Sequence, residues 1–287
     1  MAKTFDVKRY SAEYNNRTLV PEHAQHFAEW ASCSDAARGM NSRRLDVRYG
    51  AGDKETLDIF PSTRANSPVL VFIHGGWFRA LDKAEHAMLA PAFTKQGACV
   101  VLTNYPLCPA TTVQQIVMTQ VRALAWVWRN IALYGGDARR ITVVGHSAGG
   151  HLAAMMALCD WRGYAHHLPA KLVKAAVSIS GVHELETVRR TPFLNGDLHL
   201  TPAWARKLSP ALMPAPKVPV HCLVGSNESA AFLEHNALLR KAWGKRAVPT
   251  CEELAGLNHF SVLETMTQPG SRLHEVVSGA LFNCNLD

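Results

Sequence analysis

Two kinds of apolar pattern divide the chain. In the first part, "RLDVRYG" and "ETLDIFP" alternate apolar and polar residues around Gly50-Ala51-Gly52-Asp53, which predicts a hairpin that opens a sheet. Beyond it come short, almost continuous apolar runs: Val69 to Ile73, Ala98 to Leu102, Ile141 to Val144, Ala175 to Ile179 and Val218 to Val224. Runs buried on both faces and separated by helical periods predict a mostly parallel central sheet with helices on both sides. A helix is clearest where Val117, Val121, Leu124, Trp128 and Ile131 step by four, three, four and three, and Gly135-Gly136 should end it.

Residues 1 to 40 predict a helical lead-in, with Pro21-Glu22 near a helix start before "HAQHFAEWA". No repeat or low-complexity linker interrupts the pattern. The proline-rich stretch Pro210 to Pro219 leads straight into a buried-strand pattern. One α/β domain over residues 1–287 is therefore expected, with residues 182 to 217 as a small cap-like insertion over the sheet edge.

At 48% hydrophobic and 18% charged residues the chain can build a sizeable core, so a disordered protein is excluded. The formal charge of +7 is scattered in short clusters such as Arg43-Arg44, Arg139-Arg140 and Arg189-Arg190. Such scatter is a solvated surface and argues against a nucleic-acid partner. Seven cysteines, at 33, 99, 108, 159, 222, 251 and 284, form no C-x-x-C pair, which favours free thiols and a cytoplasmic location. The start "MAKTFDVKRYSAEYNNR" has no apolar signal core, and no stretch is apolar enough to span a bilayer, so no membrane partner is expected.

Chemistry concentrates at Gly145-His146-Ser147-Ala148-Gly149. The serine of this G-x-S-x-G stands between a buried strand and "HLAAMMALC", a good helix. A reactive serine also needs fixed backbone donors for an oxyanion. The glycine turn His74-Gly75-Gly76-Trp77, directly after a strand, can supply them through Gly75, Gly76 and Trp77, together with the Ala148 amide. An orienting acid and a histidine should follow in that order, each in a loop after a strand. Gly225-Ser226-Asn227-Glu228 follows one strand, and Gly256-Leu257-Asn258-His259 follows the next, around Thr250 to Leu254.

Of fourteen histidines, His259 has the required position after the acid loop; His74 and His146 read as motif scaffolding, and His151 falls on the elbow helix. Glu228 is the preferred acid because Asn227 can orient an imidazole but carries no charge to stabilise an imidazolium; Asp197 is the fallback. No H-E-x-x-H or comparable spacing suggests a metal.

"HGGW", "NYPLCPATTVQQIVMTQV", "GHSAGGHLAAM", "SNESAAFLEHNALLRKAW" and "LNHFSVLETMTQPGSRL" resemble the kynurenine formamidase (arylformamidase) group of α/β-hydrolases. The opening "EYNNRTLVPEHAQHFAEWA" resembles it too, so the likeness runs over nearly the whole chain. It implies the α/β-hydrolase fold and a cofactor-free serine hydrolase that removes the formyl group from the small molecule N-formyl-L-kynurenine in tryptophan breakdown, often as a homodimer. The group's aspartate position aligns with Glu228; Ser229 and Phe232 keep the flanking pattern, while Ala230 and Ala231 depart from its usual Pro-Glu.

A tight acyl site and a roomier aromatic site are expected, with Trp77, Phe78, Tyr105, Phe193 and Trp204 as candidate walls, although aromatics this large are more often core. Two rival readings use the same residues. A broad carboxylesterase would act on short-chain or aryl esters, and a non-catalytic binding protein would label poorly with a fluorophosphonate.

Overall fold

The computed structural model describes residues 5–40 and 42–283, so Cys284 lies outside the described residues. Three helices lead in, α1 (Val7–Glu13), α2 (Asn16–Leu19) and α3 (His23–Arg38). The strands β1 (Arg44–Arg48) and β2 (Thr56–Phe60) form the antiparallel hairpin, and β3 (Ser67–Ile73) follows. After α4 (Ala90–Thr94) come β4 (Cys99–Thr103), α5 (Val113–Asn130), β5 (Gly136–His146), α6 (Ala148–Leu158), α7 (Trp161–Tyr164) and β6 (Val173–Ile179). Three short helices, α8 (Leu185–Arg189), α9 (Pro192–Leu198) and α10 (Pro202–Lys207), precede β7 (Val220–Gly225). The chain closes with α11 (Ala230–Ala247), β8 (Cys251–Leu254), α12 (Ser261–Thr265) and α13 (Arg272–Phe282).

The eight strands form one sheet in the order β1-β2-β4-β3-β5-β6-β7-β8. From β4 to β8 every neighbouring pair is parallel, and β2 alone joins β4 antiparallel. This is the α/β-hydrolase fold. Alternation within a strand shows why the apolar runs are continuous. Val69, Val71 and Ile73 of β3 join the core under α5 and α6, whereas Leu70 and Phe72 face the core shared with α3, α4 and α13. Both faces need apolar side chains, so no polar position can recur. α5 begins at a Thr112 and Gln115 capping box and passes through a tight turn to Gly135, whose φ of +81° closes it.

One feature differs from the sequence expectation. β2 is buried along its whole length despite its alternating pattern, because both its faces are covered: Leu57 and Ile59 join one core and Phe60 the other. Its Asp58 carboxylate is fully buried and accepts from Lys83 Nζ at 2.7 Å and from Arg38. The residue 182–217 segment carries the three short helices α8, α9 and α10. It leaves from β6 and returns to β7, which are interior neighbours, and brings Phe193 and Asp197 against Arg79 in the loop after β3. No helix among the described residues is long and apolar enough to cross a membrane.

Candidate active site

Ser147 sits at the turn from β5 into α6, with φ +57° and ψ −120°, a backbone conformation that non-glycine residues rarely adopt. Its amide is held by the Ile179 carbonyl at 2.8 Å. The flanking glycines are dictated by close approach. A Cβ on Gly145 would stand 2.0 Å from the Gly149 carbonyl oxygen, and one on Gly149 would stand 2.0 Å from the Ile73 carbonyl oxygen. The serine thus heads α6, whose N-terminal dipole end favours negative charge.

Glu228 lies just past β7 and His259 just past β8. Glu228 Oε2 meets His259 Nδ1 at 2.6 Å, and both side chains are buried. The other oxygen, Oε1, accepts from Ser180 Oγ at 2.5 Å and from the Gly225 amide at 2.8 Å. A carboxylate accepting from Nδ1–H leaves Nε2 with its lone pair, the tautomer a general base needs. Asn227 and Asp197, the other acid-loop and fallback positions, do not hold His259; Asp197 pairs with Arg79.

His259 is packed by the Phe232 ring at 4.5 Å and the His146 ring at 4.7 Å. His146 Nε2 lies 2.8 Å from the His259 carbonyl oxygen and donates to it. Burial, and after it the neighbouring His259, hold the His146 imidazole well below the ordinary histidine range, so it stays neutral. No hydrogen bond joins Ser147 Oγ to His259 among the described residues, but both line one cavity of about 340 Å³.

The glycine loop reaches the same cavity. Gly76, Trp77 and Phe78 have φ of +98°, +51° and +60°, a run that turns successive amides out of the strand ladder. Among the described residues no protein group accepts from the Gly75, Gly76, Trp77 or Ala148 amides. The carbonyl side of the loop is tied down instead. Tyr105 OH lies 2.8 Å from the His74 oxygen and 3.2 Å from that of Gly75, and its ring stacks on His74 at 4.2 Å. His74 is held between the Gly75 carbonyl and the Asn104 carboxamide.

The cavity walls only partly follow the expectation. Trp77 and Phe193 line the cavity; Phe78, Tyr105 and Trp204 do not. Phe78 is buried edge-on to His151, Tyr105 is the loop's support, and Trp204 lies under the Lys207 ammonium. Phe260, next to His259, adds a ring, and three more come from the lead-in, where Tyr14, Phe27 and Trp30 reach the cavity with Asn16 and Arg17. Sequence reasoning missed them because their spacing in the helical lead-in reads only as a packed face. Long-range bonds put them there: Trp30 Nε1 donates to Glu264 Oε1 at 2.9 Å, and Tyr14 OH meets His235 Nε2 at 2.8 Å. Ser180 was also missed, since a serine after a strand carries no local signal.

Such a site can deprotonate a serine through an imidazole, hold an oxyanion on free amides and seat an aromatic group. Among the described residues no three His, Cys, Asp or Glu side chains are grouped to hold a metal ion.

Comparison with known proteins relates the chain to hydrolases. The family profile described as BD-FAE matches residues 57–210. The kynurenine formamidase of Salmo salar is 25% identical, over 96% of this chain and 94% of the salmon protein. Esterase LipQ of Mycobacterium tuberculosis is 40% identical over 42% of this chain and 30% of its own length. Among solved structures, a protein of Silicibacter sp. TM1040 provisionally described as a thioesterase superposes with a TM-score of 0.83 at 28% identity, covering 93% of this chain and 98% of that one.

Proposed function

Because the chain belongs to the BD-FAE family and is a hydrolase related to formamidases and esterases, we propose that it cleaves aryl formamides, converting N-formyl-L-kynurenine to L-kynurenine and formate. The observation that carries the catalytic reading is the buried Glu228–His259 pair opening onto the same cavity as the strained Ser147. The formamidase relative, matched along nearly its full length, and the aromatic cavity lining support an aryl formamide over a simple alkyl ester.

In this reading Ser147 Oγ attacks the formyl carbon while His259 Nε2 takes its proton. The imidazolium is stabilised by Glu228, whose position Ser180 and Gly225 secure. The Gly75, Gly76, Trp77 and Ala148 amides receive the oxyanion, with no competing protein acceptor to displace. His259 then returns the proton to the aryl nitrogen, without which an anilide leaves poorly. Water, deprotonated by the same imidazole, cleaves the formyl-serine ester and releases formate.

The test compares kcat/KM for N-formyl-L-kynurenine with that for p-nitrophenyl acetate and butyrate, with Ser147→Ala as the blank. A preference for the formyl anilide of about tenfold or more, with an inactive blank, is the expected result. Faster turnover of the esters would favour the carboxylesterase reading. Absence of fluorophosphonate labelling at Ser147 would remove the serine mechanism altogether.

A further inference from the structure

The cavity over Ser147 has two guanidinium groups at its rim, and they differ in how they are satisfied. Arg79 donates to the Phe193 carbonyl at 2.7 Å and pairs with Asp197, so its charge is already met. Arg17 is not met in this way. Among the described residues it makes no hydrogen bond or ion pair, and its guanidinium lies over the Phe27 ring, 5.5 Å from the centroid. Glu85, the carboxylate that feels its charge, has Oε2 engaged by the Asp82 amide.

Asn16, its chain neighbour, is a second and independent sign. Only 8% of this residue is exposed, it lines the same cavity, and its carboxamide has no hydrogen-bond partner among the described residues. A carboxamide in a mostly buried residue, with no protein partner and next to an exposed guanidinium that also has none, offers donors to an acceptor that enters the cavity.

Resting on the formamidase reading, we propose that Arg17 and Asn16 form a carboxylate subsite, and that the preferred substrates carry a carboxylate on the aryl leaving group. The planar guanidinium, steadied on Phe27, presents parallel N–H donors that suit a carboxylate, and the Asn16 amide adds a further donor. A carboxylate held there places the leaving group along the lead-in, whose Tyr14 ring meets Trp77 at 5.1 Å. The aromatic rings that line the same cavity then receive the aryl ring.

Two substrate pairs test the subsite: N-formyl-L-kynurenine against the neutral 2′-formamidoacetophenone, and 3-carboxyphenyl acetate against phenyl acetate. In the parent protein the carboxylate member of each pair should be favoured, and high salt should erode that preference. Arg17→Gln should lower kcat/KM at least about tenfold for the carboxylate members, mostly through KM, and leave the neutral members within about twofold. Arg17→Lys should recover part of the loss, and Asn16→Ala should reproduce a smaller version of it.

No preference in the parent protein, or an equal loss on both members of a pair, would overturn the subsite. Turnover of the esters with neither formamide cleaved would instead sink the formamidase reading, and the ester pair alone would then decide the subsite.

Discussion

Replacing Glu228 by glutamine gives the sharpest test of the acid, because the surrounding donors dictate how the amide must sit. Oε1 accepts two hydrogen bonds, from Ser180 Oγ and from the Gly225 amide, so the amide oxygen has to take that side. The NH₂ group is then turned onto His259 Nδ1, where the carboxylate now accepts at 2.6 Å. A donor facing Nδ1 makes that nitrogen the acceptor and moves the ring proton to Nε2. The nitrogen that should take the Ser147 proton is occupied, and the imidazolium loses its counter-charge.

Wrong-tautomer substitutions of this kind lower kcat by about 10⁴-fold, equivalent to ~5 kcal/mol of barrier. Folding should be little affected, because both bonds to the Oε1 side survive. The assay is steady-state kcat on N-formyl-L-kynurenine beside a thermal melt. Ser180→Ala serves as a milder control that removes one anchor but leaves the carboxylate on His259. A Glu228→Gln protein that keeps kcat within about tenfold of the parent, with its Tm unchanged, would refute the tautomer argument.

Three further outcomes follow from the packing. Gly149→Ala forces a methyl to 2.0 Å from the Ile73 carbonyl oxygen, a backbone atom, so urea denaturation should show a loss of about 3 kcal/mol or more along with lost activity; a neutral substitution would mean the elbow is slack. Lys83→Met removes a buried ammonium bonded to both Asp46 and Asp58 and leaves Arg38 as the one cation on Asp58, beside the Asp46 amide, which should destabilise the fold by about 3 kcal/mol while kcat at low temperature holds.

Burial pushes His86 and His235 down to about 3 and His151 to about 4. Their folded values lie below the unfolded value of about 6.5, so their stabilising contribution is complete above that pH and is lost as pH falls towards the folded values, by up to ~1.4 kcal/mol per pH unit for each group. Urea midpoints that stayed flat from pH 7 to about pH 4.5 would contradict this.

Much of the architecture was legible because its causes act within a few residues. Continuous apolar runs mark strands covered on two faces, and a serine between glycines marks a turn where backbone strands nearly touch. Chain order then indicated where an acid and a histidine would fall, since each parallel strand delivers its following loop to the same end of the sheet. That reasoning reached Glu228 and His259 because one lies shortly after β7 and the other shortly after β8.

What the chain alone left open was direction and company. Trp77 faces the cavity while its neighbour Phe78 is core, although both are large aromatics and both have positive φ, so neither residue type nor backbone region separates them. Asp58 reads as a surface position of an alternating strand until Lys83 and Arg38, distant in sequence, arrive to neutralise it. Arg17 and Asn16 look like polar residues in a short helix, and only Tyr14 and Trp30, bonded to His235 and Glu264 far along the chain, carry that segment over Ser147. Periodicity and local sterics are written along the chain, but the partner that a side chain meets depends on which distant surfaces the folded sheet brings together.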